Sequence, residues 1–128
     1  MIEKIEKLKQ LKLLFVEDEI ELLDILCSTL EKLEANYIIA KNGQEALEII
    51  EEHKDIDIII TDINMPIMDG LELIQIVKEN DPNTPFIITS AHTEKEYIDK
   101  AKKLGVEHYL LKPFDFVKFL DLIYKIEK

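Results

Sequence analysis

The chain predicts an α/β fold, a five-stranded parallel sheet doubly wound with helices, and three observations carry that prediction. Short runs rich in Ile, Val, Leu and Phe alternate with segments of helical period, the pattern of strand, helix, strand units whose strands are buried on both faces. Capping and terminating residues stand where those helices should begin and end. The apolar runs also stop at polar groups. Glu17 and Asp18 close Leu13-Leu14-Phe15-Val16, Asp62 closes the run from Ile56 to Thr61 that only Asp57 breaks, Ser90 closes Phe86-Ile87-Ile88-Thr89, and Lys112 closes Tyr109-Leu110-Leu111.

The elements follow in order. Ile2 to Gln10 alternates Lys and Glu with Ile and Leu. Its default reading is a solvated extra turn, with a short amphipathic helix, a linker remnant or a partner contact as alternatives. The strands are expected over Lys12 to Val16, Tyr37 to Ala40, Ile56 to Thr61, Phe86 to Thr89 and His108 to Leu111. After the first strand, Leu22, Leu23, Leu26, Leu30 and Leu33 recur at helical steps; after the second come Ala46, Leu47, Ile49 and Ile50, and after the third Leu73, Ile74 and Val77. Asn42-Gly43-Gln44-Glu45, Asp69-Gly70-Leu71-Glu72 and Thr93-Glu94-Lys95-Glu96 each set a capping side chain three residues before a glutamate, the capping-box spacing. Asn80-Asp81-Pro82 stops one helix, and Gly105 after Lys102-Lys103-Leu104 marks the end of another. The last helix runs from Asp115 to about Lys125. Cys27, the one cysteine, reads as a small core residue. His53 and His108 read as solvated surface, and Met65, Pro66 and Met68 as loop packing and turn chemistry.

A length of 128 residues with 47% hydrophobic content suits one domain, expected over 11–126 after an extension over 1–10. The net charge of -11 argues against a direct grip on nucleic acid or anionic lipid. Met1 to Gln10 is alternately charged, unlike a signal peptide, and the apolar runs are far shorter than the roughly 20 residues a membrane helix needs. A soluble, cytoplasmic protein is expected. A lone cysteine supplies neither a disulfide framework nor a thiol metal site.

Right-handed crossovers make five such units an open sheet, and ligands bind beyond the carboxyl ends of its strands. Under the strand order 2-1-3-4-5, Asp18 and Asp62 leave the sheet side by side with Glu17 adjoining. Two carboxylates about 4 Å apart repel by roughly 4 kcal/mol at an effective dielectric near 20, so they need a proton or a cation. Mg2+, which takes one or two carboxylates and keeps waters, suits that composition. With a metal beside it, and Lys112 and Ser90 ready for the other oxygens, Asp62 has the setting of a nucleophile toward phosphorus.

Val16-Glu17-Asp18-Glu19, Thr61-Asp62-Ile63-Asn64-Met65-Pro66-Ile67-Met68-Asp69-Gly70, Thr89-Ser90-Ala91-His92 and Leu111-Lys112-Pro113-Phe114 together resemble the signature segments of a response regulator receiver domain. The resemblance covers about Leu11 to Ile126. It implies a flavodoxin-like sheet with five flanking helices, and phosphorylation of Asp62 by a sensor histidine kinase or phosphotransfer protein. It also implies Mg2+ held by Asp18, Asp62 and the backbone carbonyl of Asn64, with Glu17 acting through a coordinated water. Glu17 stands where many relatives have Asp. By the same resemblance Ser90 turns toward the phosphoryl group, Lys112 pairs with it, and the Lys112-Pro113 peptide is cis. Tyr109 is then an aromatic switch that changes the face of the fourth helix, fifth strand and fifth helix for a downstream effector or output domain. Asn64 and His92 are expected to tune dephosphorylation, and dimerisation through the switch face is left open. The chain itself is expected to be a single-domain regulator or a receiver cut from a longer one, and not an enzyme, since it would catalyse only its own phosphorylation and dephosphorylation.

Three competitors meet obstacles in the residues. A magnesium-dependent phosphohydrolase working through an aspartyl phosphate would want an acid at Asn64 and a substrate cap. A flavodoxin-like redox protein would want a hydroxyl- and glycine-rich loop where Glu17-Asp18-Glu19 stands. A receiver that binds partners without phosphorylation would not need Asp18, Asp62, Ser90 and Lys112 together.

Overall fold

The computed structural model describes residues 2–90, 95–112 and 115–126. His92, Thr93 and the Lys112-Pro113 peptide therefore lie outside the described residues. The strands are β1 (Lys12–Val16), β2 (Asn36–Ala40), β3 (Ile58–Asp62), β4 (Phe86–Ser90) and β5 (His108–Leu111), all parallel, in the order β2-β1-β3-β4-β5. The helices are α1 (Ile2–Gln10), α2 (Ile20–Lys32), α3 (Gly43–Glu52), α4 (Gly70–Asn80), α5 (Lys95–Lys103) and α6 (Phe116–Lys125). None is long and apolar enough to cross a membrane.

Alternation along the strands builds two cores. Leu13, Phe15, Ile58, Ile60, Ile87 and Leu110 face α1, α2 and α6, while Leu14, Val16, Ile59 and Ile88 face α3, α4 and α5. Burial of β1, β3 and β4 on both faces explains why the sequence shows continuous apolar runs there, with no polar alternation. The expected caps form: Asn42 accepts from the amide of Glu45 at 2.8 Å and Asp69 from that of Glu72 at 2.9 Å. Gly105 has φ +90, and the amide of Val106 returns to the carbonyl of Ala101, the left-handed helix end that favours glycine.

The structure differs from expectation in several places. Among the described residues there are six helices, because the opening segment is a helix and not a solvated turn. Leu8 of α1 is fully buried with Leu11, Leu30, Phe119 and Ile123. Polar contacts fix it further, since Lys4 pairs with Asp121 and Lys7 Nζ donates to the carbonyls of Tyr124 and Ile126 at 2.9 Å. The strand expected from Ile56 starts at Ile58. Asp57 accepts from the amide of Lys12 through its carboxylate at 2.7 Å while its own amide donates to the carbonyl of Lys12 at 2.7 Å, a local clasp just ahead of the strand. At the other end β3 reaches Asp62 and β4 reaches Ser90, paired with Thr89 and Leu111. Cys27 is only partly buried, at the margin of the Leu23, Leu26 and Leu30 stripe. His53 and His108 are also partly buried, and His53 Nδ1 lies 3.3 Å from Lys12 Nζ.

Candidate functional site

The strand order brings the candidate residues to one edge. β1 and β3 are neighbours with Val16 opposite Thr61, so Glu17 and Asp62 are the next residues along each chain. Across β4, Asp62 faces Thr89, and Ser90 follows it. Ser90 in turn faces Leu111, which sets Lys112 at the same edge, its amide donating to the carbonyl of Ser90 at 2.8 Å.

At this edge one amine serves three carboxylates. Lys112 Nζ lies 2.8 Å from Glu17 Oε1, 2.9 Å from Asp62 Oδ2 and 3.6 Å from Glu19 Oε1. Glu17 and Asp62 are buried, whereas Asp18 is exposed. Backbone amides hold the remaining oxygens: Ile63 donates to Asp62 Oδ1 at 2.8 Å, and Asp18 and Glu19 donate to Glu17 Oε2 at 3.1 and 3.2 Å. Glu17, Asp18 and Asp62 each offer an oxygen within 4.8 Å of the others, a separation that suits a hard cation.

Burial dominates the electrostatics. It pushes Glu17 up to about 7, with the Asp62 charge adding to the rise and the Lys112 hydrogen bond opposing it. Burial also raises Asp62 against the pull of Lys112. For Lys112 burial works downward, but its bonds to Glu17 and Asp62 prevail and hold the amine firmly charged. Two buried acids raised around one cation describe a site short of positive charge. Ser90 adds a second deficit, since its buried Oγ has no hydrogen-bond partner among the described residues.

Asp62, Asp18, Glu17, Ser90 and Lys112 are thus brought together. Asn64 is exposed in the loop after β3. Tyr109 stands apart on β5, 44% exposed beside an equally exposed Leu111, so the ring faces outward.

Two features escape sequence reasoning. Glu19 reaches Lys112, and the acidic run Glu17-Asp18-Glu19 is the only signal for it. Ile67 has φ +71 and is 79% exposed, with the amide of Met68 bonded to the carbonyl of Pro66 at 2.8 Å. That is a γ-turn with a β-branched residue in the left-handed region, a strained arrangement that no propensity announces. The loop is held close by Gly70, where a Cβ would lie 2.2 Å from the carbonyl oxygen of Asp62.

A family described as the response regulator receiver domain matches residues 13–124. An uncharacterized transcriptional regulatory protein of Bacillus subtilis, YesN, is 48% identical over 105 residues, covering 80% of this chain and 28% of the relative. The chain spans about a quarter of the length of the first curated relatives it matches. Among solved structures, a receiver domain protein from Clostridium thermocellum superposes with a TM-score of 0.82 at 29% identity, over 89% of this chain and 91% of that one. The receiver domain of Ssk1 from Saccharomyces cerevisiae, crystallised with the histidine phosphotransfer protein Ypd1, gives a TM-score of 0.76 at 29% identity, over 88% of this chain and 86% of that one.

Proposed function

The chain belongs to the response regulator receiver domains of two-component signalling, and from that membership we propose that Asp62 accepts a phosphoryl group from a histidine of a sensor kinase or phosphotransfer protein. The observation that carries the reading is the buried Asp62 carboxylate, held 2.9 Å from Lys112 Nζ at the carboxyl edge of a parallel sheet with two further carboxylates beside it. The Ssk1 structure, solved with a histidine phosphotransfer protein, supports that class of donor.

In the transfer an Asp62 oxygen attacks phosphorus, the bond from phosphorus to the donor nitrogen breaks, and an acyl phosphate forms. Asp62 Oδ1 is already fixed by the Ile63 amide, which leaves Oδ2 as the attacking atom. Lys112 moves from Oδ2 to a phosphoryl oxygen. The hydroxyl of Ser90, without a partner among the described residues, is the donor for another, and its inward turn frees space for the exposed Tyr109 ring. That pair converts a local charge into a changed face across α5, β5 and α6, read by a downstream effector or output domain. Asn64 and His92 stand two residues beyond Asp62 and Ser90 and tune how long the label survives.

The donor set fits Mg2+, with oxygens from Glu17, Asp18 and Asp62 gathered around a deficit of positive charge and the carbonyl of Asn64 close in sequence. When bound, Mg2+ would supply charge that offsets both the carboxylates and the phosphoryl oxygens.

The test is labelling by acetyl phosphate, followed as a gain in intact mass. Label is expected in Mg2+ and not after chelation with EDTA. No label under either condition would defeat the proposal.

A further inference from the structure

Glu19 sits at the N-cap of α2 in an extended conformation, yet its side chain makes no capping hydrogen bond. Short side chains such as Asp, Asn or Ser ordinarily accept from the first-turn amides at this position, a role the longer glutamate leaves unfilled. Here the carboxylate points to Lys112, with Oε1 3.6 Å from Nζ. Its backbone amide is tied to Glu17 Oε2 at 3.2 Å, which fixes the residue beside the pocket. The side chain is 64% exposed, against 4% for Glu17 and 5% for Asp62. Glu19 therefore engages the amine from the solvent side while the other two hold it from within.

An ammonium has three donors, and in this structure all three have carboxylate partners within ion-pair distance. A phosphoryl group on Asp62 needs one of those donors. Glu17 is buried and cannot turn to water; Glu19 can. As long as it stays, it draws the amine outward and sets a negative charge toward the phosphoryl oxygens.

Building on the phosphoacceptor reading of Asp62, we infer that Glu19 is a positioning residue for Lys112, competing with the phosphoryl group for the amine and limiting how fully and how long Asp62 stays labelled. An exposed ion pair of this kind is worth a modest factor, so the effect is about threefold. It has a signature that a general field effect lacks. Asp at position 19 keeps the charge but is one methylene shorter and loses the contact.

The experiment labels wild type, Glu19→Gln, Glu19→Asp and Glu21→Gln with sub-saturating acetyl phosphate in Mg2+, then removes the donor and follows the decay by intact mass. Glu21 lies in the same first turn of α2 without an ion pair to Lys112. Glu19→Gln and Glu19→Asp should both raise the labelled fraction and lengthen the half-life about threefold, with Glu21→Gln like wild type. A Glu19→Asp that behaves as wild type, a Glu21→Gln that matches Glu19→Gln, or no change in either Glu19 variant overturns the role of Glu19. Absence of label from every protein overturns the phosphoacceptor reading itself.

Discussion

The two edges of the sheet treat charge in opposite ways. At the amino edge cations are matched by local partners. Lys12 Nζ lies 3.1 Å from Asp55 and 3.3 Å from His53, and Lys4 and Lys7 tie α1 to Asp121 and to the last carbonyls of α6. The hydrogen bond from Lys12 holds Asp55 below the usual carboxylate range, as that from Lys4 does Asp121. At the carboxyl edge one amine is divided among three carboxylates, and the buried pair, Glu17 and Asp62, moves the other way. Charges at the first edge complete the fold. Those at the second leave two buried acids raised around a single shared amine.

The largest expected effect separates folding from chemistry. Leu8→Ala removes a fully buried side chain from the core that α1 shares with α6, and should cost about 3 kcal/mol in denaturant unfolding. Because the site lies at the opposite edge, labelling by acetyl phosphate should persist at temperatures where the variant is folded. Loss of label from a folded Leu8→Ala would show that the edges are coupled.

The next effect sharpens the contrast through pH. A group raised in the folded state contributes stability below its unfolded value and loses that contribution as pH rises through the folded one. For Glu17 the contribution is lost as pH climbs from the ordinary carboxylate range through about 7. Asp55 and Asp121 are lowered and act in the opposite sense, losing stability only as pH falls. The metal-free protein should therefore weaken between pH 5 and about 7.5, the slope should flatten in Glu17→Gln, and added Mg2+ should restore stability most at the upper end. A flat profile in wild type would remove the claimed deficit.

The smallest concerns the loop that borders the site. Ile67→Gly replaces a β-branched residue at φ +71 with one that adopts positive φ without steric cost. It should raise stability by about 1 kcal/mol in denaturant unfolding. Destabilisation would mean that the exposed isoleucine makes a contact the strain argument overlooks.

Much of the sheet was legible because its inner strands β1, β3 and β4 are buried on both faces, so their Ile, Val and Leu runs stand out and end abruptly. The caps at Asn42 and Asp69 were legible because they act over three residues. Asp62, Asp18, Glu17, Ser90 and Lys112 could be nominated from strand ends, and the strand order then joined them. α1 was not legible as a core element, since Lys and Glu dominate it and only packing against α6 reveals that Leu8 is buried. The onset of β3 depended on a side chain, that of Asp57, reaching a neighbouring strand. Glu19 and Ile67 were hidden for a related reason: one acts through the reach of its side chain, the other through a backbone angle opposed to its propensity.

Asp62→Asn tests the central claim most directly. Asparagine keeps an oxygen for the Ile63 amide and removes one of the carboxylates around Lys112. Measured beside wild type in Mg2+ with acetyl phosphate, and by denaturant unfolding without metal, the variant should take no label and unfold at a higher denaturant concentration. A variant that still gains the label, or that is destabilised by loss of the charge, would contradict the account of Asp62 as the phosphoacceptor in an edge short of positive charge.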